Sequence, residues 1–209
     1  MAHDQAASWL YAEEAILDSD MAREAREEAA QCGIDSLSPA VCRFLTTLAS
    51  CASVRSIAEV GTGMGVSGLA LLSGSPSSTL TTIDSEPASH SMAREIFLHA
   101  GIRASRFRLI NGRSADILPR LAAQSYDLVL IDGDPLEAAG DVEEALRMLK
   151  KGGILVLAHA LNGGRVADPV RRDAVTVALR DLGHRLLNDE RVCGSLLPLS
   201  DGLILAVKA

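Results

Sequence analysis

The chain has 209 residues, of which 48% are apolar and 3% aromatic, and its formal net charge is −7. The apolar fraction excludes a disordered chain, and the length allows one α/β domain but not two with a linker. The acidic balance and the scarcity of aromatic rings argue against nucleic-acid binding, which relies on basic faces and base stacking.

Cysteine usage and the N-terminus favour a cytoplasmic location. The cysteines form neither a Cys-x-x-Cys pair nor a Cys/His cluster, and we expect reduced thiols at Cys32, Cys42, Cys51 and Cys193. Residues 1–5 lack the basic flank and apolar run of a signal peptide. No apolar stretch approaches the ~20 residues of a membrane span, so we expect no membrane partner.

The first part of the chain predicts helices only, and we interpret residues 1–53 as a helical cap. The first two helices are expected over about residues 5–17 and 18–33. Gly33 at the end of the second is typical of a helix C-terminus. Ser38 followed by Pro39 is typical of an N-cap and a first-turn proline, and predicts where a third helix begins.

From Ser56 onward, short apolar runs alternate with helical stretches. The predicted strands are Ser56–Val60, Leu80–Asp84, Phe107–Asn111, Tyr126–Asp132, Ile154–Ala158, Val192–Leu197 and Leu203–Val207. Between them, helices are predicted from Val66 and over about 87–100, 115–122, 136–149 and 168–182. This alternation indicates a parallel, doubly wound sheet, with the fourth strand, apolar on both faces, at its centre.

The last two predicted strands break the alternation. Only residues 198–202 separate them, so they must pair antiparallel. We therefore predict an α/β fold with a Rossmann-like doubly wound sheet, mostly parallel, with a C-terminal antiparallel hairpin and N-terminal helices. The domain is expected to span residues 1–209, with its core over 54–209.

A glycine-rich loop follows the first predicted strand, with the sequence Glu59-Val60-Gly61-Thr62-Gly63-Met64-Gly65. Glycines allow a sharp turn and close approach to a ligand. The dinucleotide fingerprint would require a third glycine at Val66. An acidic residue two positions before the first glycine suits instead a ligand with an ammonium group, such as S-adenosylmethionine (SAM), and would repel a pyrophosphate. The alternative is a turn that only joins a strand to a helix.

Two further loops follow strands of the same sheet edge. Asp84 ends the second strand at nearly the spacing where nucleotide-binding domains place an acidic residue on the ribose, which predicts a contact with the ribose hydroxyls. Residues 112–116, Gly-Arg-Ser-Ala-Asp, follow the third strand and are expected to hold the adenine. Taken alone, each of these signals is also typical of an ordinary turn or helix cap.

Four segments together resemble the catechol and caffeoyl-CoA O-methyltransferase family: Glu-Val-Gly-Thr-Gly at 59–63, Thr-Ile-Asp at 82–84, Gly-Arg-Ser-Ala-Asp at 112–116 and Tyr-Asp-Leu-Val-Leu-Ile-Asp at 126–132. The resemblance implies a seven-stranded sheet with one antiparallel strand, and in many members a homodimer. It also implies that SAM contacts Glu59, Gly61, Gly63, Ser67, Asp84, Ser114, Ala115 and Asp132, to which we add Thr62 of the loop.

The chain differs from the family at the residues that would bind the divalent cation. The resemblance implies that Asp132 matches one cation ligand, but the Asp-Asn pair that supplies the others falls on Ala158 and His159, and a catalytic lysine falls on Pro135. Three accounts remain open. A metal-independent enzyme could use His159, whose unperturbed pKa is about 6.5, as general base together with Asp132. A rebuilt cation site could use Asp132, Asp134 and His159, or the protein could bind SAM without efficient catalysis.

The leading hypothesis is an O-methyltransferase that acts on a hydroxyl of a small molecule. A SAM-binding regulatory or interaction protein with degraded catalysis is the alternative, because the cation ligands are replaced. A methyltransferase of RNA or protein is a third hypothesis, and the acidic charge argues against its RNA version. The residues do not predict which acceptor is methylated.

Overall fold

The computed structural model describes residues 5–51 and 53–209. Its helices are α1 Gln5–Glu14, α2 Asp20–Gln31, α3 Pro39–Ala49, α4 Val66–Gly74, α5 Pro87–His99, α6 Ser114–Ile117, α7 Ala138–Met148 and α8 Ala174–Leu187. Its strands are β1 Ser56–Val60, β2 Thr79–Asp84, β3 Phe107–Asn111, β4 Tyr126–Ile131, β5 Leu149–Leu157, β6 Val192–Leu197 and β7 Leu203–Lys208. Short 3-10 turns occupy 104–106, 118–120 and 165–167.

The N-terminal helices begin at the predicted caps. The Ser19 hydroxyl accepts a hydrogen bond from the Ala22 N–H at 3.2 Å, and Ser38 does the same for Val41 at 3.3 Å. Each side chain satisfies a backbone donor that the first helical turn leaves free. The prediction for α1 was too long, because the helix ends at Glu14 rather than near residue 17.

The strands form one sheet in the order β3-β2-β1-β4-β5-β7-β6. β7 runs antiparallel to both β5 and β6, and all other neighbours are parallel. The predicted fold class is therefore confirmed, including the C-terminal hairpin. β5 begins earlier than predicted, at Leu149 opposite Tyr126, and its register with β4 shifts before Ile154.

The prediction for α8 placed its start at about Asp168, and this was wrong. Asp168 instead accepts a hydrogen bond from the Val170 N–H at 3.0 Å, within a turn. The helix begins after Asp173, whose carboxylate accepts a hydrogen bond from the Thr176 N–H at 3.0 Å. Asp173 is thus the N-cap of α8.

Apolar side chains fill both faces of the sheet. One cluster packs β1, β2 and β4 against α3, α4 and α5, and the other packs the opposite face against α7 and α8. Leu128, Val129, Leu130 and Ile131 of β4 are each at most 1% exposed, which confirms the prediction of a central strand. A rigid two-sided core fixes the strand ends from which the loops of the site project.

The strand order reverses between β1 and β4, since β2 and β3 lie on one side and β5 on the other. Ligands of open α/β sheets bind at the carboxyl ends of the strands at such a switch point. All four cysteines are free thiols, and only Cys42 is buried. Within residues 5–51 and 53–209, no helix is long and apolar enough to cross a membrane.

Candidate functional site

A cavity of about 660 Å³ lies at the carboxyl edge of the sheet, a volume typical of small-ligand sites. Its walls come from the segments that follow β1, β2, β3, β4 and β5, together with residues 34–37 between α2 and α3. The cavity therefore lies at the switch point of the sheet. Residues 34–37 were not predicted as part of the site, because nothing in their sequence indicates a ligand.

The glycine-rich loop forms one wall of the cavity. Its backbone has positive φ at Gly61 (+91°), Gly63 (+48°) and Gly65 (+86°), a region that residues with a Cβ rarely adopt. At Gly61 there is also no room, because an added Cβ would lie 2.1 Å from the carbonyl oxygen of Asp132. The loop is thus packed directly against the backbone at the end of β4.

Asp84 joins the glycine loop to the end of β2. Its Oδ2 accepts a hydrogen bond from the Gly63 N–H at 3.0 Å, and its Oδ1 accepts one from the Glu86 N–H at 2.9 Å. The carboxylate lines the cavity. Because a carboxylate has about four acceptor positions, it can also accept from the hydroxyls of a ribose.

Glu59 lies beneath the glycine loop and is not among the residues that line the cavity. Its side chain is completely buried, and neither carboxylate oxygen completes a hydrogen bond, although the hydroxyls of Thr82 and Ser67 lie nearby. Burial raises the pKa of Glu59 to about 8, because the charged form is poorly solvated. Ser67, at the start of α4, does line the cavity.

The wall on the predicted adenine side is built around Ser114. Its hydroxyl donates to Glu137 Oε2 at 3.3 Å, and Glu137 also forms an ion pair with Arg113. The Arg113 guanidinium lowers the pKa of Glu137 below its usual range. Ala115, predicted to contact SAM, is exposed and not among the lining residues. Glu137 was not predicted, although its position shortly after β4 on the same edge could have indicated it.

Asp132, His159 and Asp201 form a contiguous cluster at the end of the cavity next to β5. His159 Nε2 lies 3.2 Å from Asp132 Oδ1, and His159 Nδ1 lies 3.1 Å from Asp201 Oδ2. The two carboxylates raise the pKa of His159 to about 9, the hydrogen bond to Asp132 having the largest effect. The sequence indicated Asp132 and His159 as candidate catalytic residues but missed Asp201, which comes from the β6–β7 turn.

A family model described as O-methyltransferase matches residues 12–209. A probable O-methyltransferase of Mycobacterium tuberculosis is 45% identical over 201 residues, which cover 96% of this chain and 90% of the relative. A crystal structure from Corynebacterium glutamicum has 34% identity and a TM-score of 0.89, and covers 98% of this chain and 97% of its own. The O-methyltransferase TomG of Streptomyces achromogenes, solved in complex with SAM, shares the fold at 24% identity, with a TM-score of 0.83 over 93% of this chain and 92% of its own.

The chain belongs to the O-methyltransferase family. This confirms the resemblance inferred from the four sequence segments. The four segments meet at the carboxyl edge of the sheet, since residues 61–63, 84, 114 and 132 all line the cavity.

In this O-methyltransferase, the residues do not fit the divalent cation that the family resemblance implies. Ala158 has no ligand atom and is buried, and Pro135 cannot replace a lysine. Asp134 instead accepts a hydrogen bond from the Leu136 N–H at 2.9 Å, which is the role of a turn-capping residue. In the described part of the chain, no group of three or more His, Cys, Asp or Glu side chains is arranged to hold a metal ion.

Proposed function

We propose that this chain transfers the methyl group of SAM to a hydroxyl of a small molecule. The observation that carries the proposal is the cavity between the glycine loop, the Asp84 carboxylate and the end of β4, in a chain of the O-methyltransferase family. The structural neighbour TomG was solved with SAM, which supports the same donor here.

The charge of the cavity supports a cationic donor. Its lining side chains include acidic Asp35, Asp84, Glu86, Asp132, Asp134 and Glu137, whereas the basic ones are Arg113 and His159. Arg113 and His159 are each paired with a carboxylate. SAM carries a sulfonium and an ammonium group against one carboxylate, so the field of these walls attracts it.

The chemistry requires the acceptor to lose a proton. The acceptor oxygen forms a bond to the methyl carbon as the carbon–sulfur bond breaks, the electron pair stays on sulfur, and the hydroxyl proton leaves. Both ring nitrogens of His159 face carboxylates, whereas the Asp132 carboxylate contacts His159 through Oδ1 and lines the cavity. We therefore assign the proton to Asp132, with His159 holding that carboxylate in place.

The remaining parts of the proposal rest on composition and on the family resemblance. They are a small-molecule acceptor rather than nucleic acid, a cytoplasmic location and a homodimer. The alternative function, a SAM-binding regulatory protein with degraded catalysis, is favoured by one observation, the replacement of two cation ligands by Ala158 and His159.

Calorimetric titration with SAM tests the donor site. Asp84→Asn is expected to weaken binding about 10- to 100-fold, because a hydrogen bond to a charged group contributes about 1.5–3 kcal/mol. The variant keeps the size of the side chain, removes its charge and replaces one of its two acceptor oxygens with an NH2 group. Asp181→Asn is the matched control, because Asp181 is an exposed aspartate on α8 and not among the residues of the cavity wall; its affinity should equal that of the wild type.

A panel of phenols and alcohols with methyl-labelled SAM then separates the two functions. Transfer of label to one or more acceptors supports the enzyme. SAM binding without transfer to any member of the panel would favour the regulatory alternative. No SAM binding by the folded wild type would overturn both.

A further inference from the structure

We propose that the His159 ring, held between Asp132 and Asp201, occupies the place at the Asp132 carboxylate that a divalent cation takes in metal-dependent members of the family, so that the residues of this site do not fit a metal. The inference rests on the proposed function and extends it. Asp201 becomes a positioning residue, because it acts on the site only through His159.

The geometry around His159 shows what its ring contacts. Nε2 lies 3.2 Å from a carboxylate oxygen of Asp132, and Nδ1 lies 3.1 Å from one of Asp201. Each ring nitrogen therefore lies against a carboxylate oxygen, and Asp132 Oδ1 faces the imidazole rather than an open position for a cation.

Hydrogen bonds join the loop that follows β5 to the β6–β7 turn, and they hold Asp201 in place. Asp201 Oδ1 also accepts a hydrogen bond from the Gly163 N–H. The backbones are joined by the bonds Ala160 N–H to Gly202 O and Leu161 N–H to Asp201 O, each 2.9 Å long. Asp201 therefore approaches His159 from a rigid turn.

The same contacts leave no ligand set for a cation. A histidine binds a metal through a ring nitrogen that is free to face it, and both nitrogens of His159 already lie against carboxylate oxygens. Asp132 Oδ1 is already paired with this ring, and the neighbouring Ala158 has no ligand atom. The proposal thus explains two observations together. The Asp-Asn pair of the family is replaced by Ala158 and His159, and His159 occupies the carboxylate of the remaining ligand position, Asp132.

Binding of Mn²⁺ alone, followed by electron paramagnetic resonance and calorimetry, tests the inference without depending on activity. The wild type is expected to show no saturable site at the cavity. The double variant A158D/H159N restores the Asp-Asn pair of the family and is expected to gain one Mn²⁺ site, which a further Asp132→Asn substitution removes. Asparagine suits this position because His159 has φ +54°, a region in which asparagine is enriched.

Steady-state kinetics with the best acceptor from the panel test the positioning role. His159→Asn is expected to lower kcat at least tenfold while the SAM Kd changes less than threefold, and Asp201→Asn to lower kcat less. Asp201→Glu should restore part of the loss, because it keeps the carboxylate. His184→Asn, an exposed histidine on α8, should leave both constants unchanged.

Two results would overturn the inference. One is saturable Mn²⁺ binding by the wild type that Asp132→Asn abolishes. The other is loss of wild-type activity in EDTA with recovery on adding Mg²⁺. If the folded wild type binds no SAM, the proposed function fails, but the Mn²⁺ titrations of the wild type and the double variant still decide whether His159 excludes a cation.

Discussion

Substituting Gly61 with alanine is expected to weaken SAM binding severely. The new Cβ would lie 2.1 Å from the carbonyl oxygen of Asp132 and 2.7 Å from its carbonyl carbon. Both are backbone atoms at the end of a central strand, so they cannot move aside cheaply. The residue must also keep φ at +91°, which costs a non-glycine residue about 1–2 kcal/mol. Together these effects should weaken binding more than about 100-fold, a change of about 3 kcal/mol, and lower the thermal stability.

Gly101→Ala separates the steric clash from the backbone strain. Gly101 also has positive φ, +74°, but nothing lies within 4 Å of an added Cβ. This variant should lose about 1 kcal/mol of stability and keep wild-type SAM affinity. Calorimetry on both variants, after circular dichroism has shown that each is folded, makes the comparison. Wild-type affinity in Gly61→Ala would contradict the close packing of the loop against β4.

The fold was predictable because its signals are periodic and local. The run Leu128–Ile131 has no polar face, and such a strand can only lie at the centre of a sheet covered on both sides. The hairpin followed from the short turn between the last two strands. These patterns repeat over whole elements, so an error of a few residues at one end leaves the topology unchanged.

Element boundaries depend on tertiary packing, as two similar dipeptides illustrate. Ser38-Pro39 and Asp168-Pro169 carry the same N-cap signal, but only the first begins a helix. Val170, which would lie in the first turn of the second helix, is 79% exposed, whereas α8 buries Thr176, Leu179, Leu182 and Leu186. The helix therefore begins at Asp173, next to the face that can be buried.

The site was predictable to the extent that its residues follow strands. Asp84 and Asp132 follow parallel strands, so the sheet brings them to one edge. Asp201 was missed because it is 42 residues from His159 and meets it only through the pairing of β7 with β5. The burial of Glu59 was also not predictable, because the sequence could not indicate that its carboxylate would lie beneath the loop rather than in the cavity wall.

Glu59 should make the stability of the ligand-free chain fall as pH rises. The pKa of this carboxyl is about 8 in the folded chain and about 4.3 in an unfolded one. The folded state therefore holds a proton that the unfolded state releases, so the contribution to stability is complete below about pH 4 and lost as pH rises through 8. The difference corresponds to on the order of 5 kcal/mol over the whole range between the two pKa values. Denaturant unfolding of wild type and Glu59→Gln between pH 5 and 8 measures it.

The neutral variant should lose this slope and become the more stable protein, relative to the wild type, as pH approaches 8. Glu27→Gln, an exposed glutamate on α2, should keep the wild-type slope. An unchanged slope in Glu59→Gln would mean that Glu59 is ionised in the folded chain.

The same carboxyl connects stability to the donor site. If the ammonium group of SAM binds above Glu59, it favours the charged carboxylate, and binding near pH 7 should release part of a proton. Calorimetry in buffers of different ionisation enthalpy would detect this release. It should disappear in Glu59→Gln together with part of the affinity, because the attraction between opposite charges is then absent. Release that persists in the variant would assign the proton to another group and leave Glu59 as a structural acid beneath the loop.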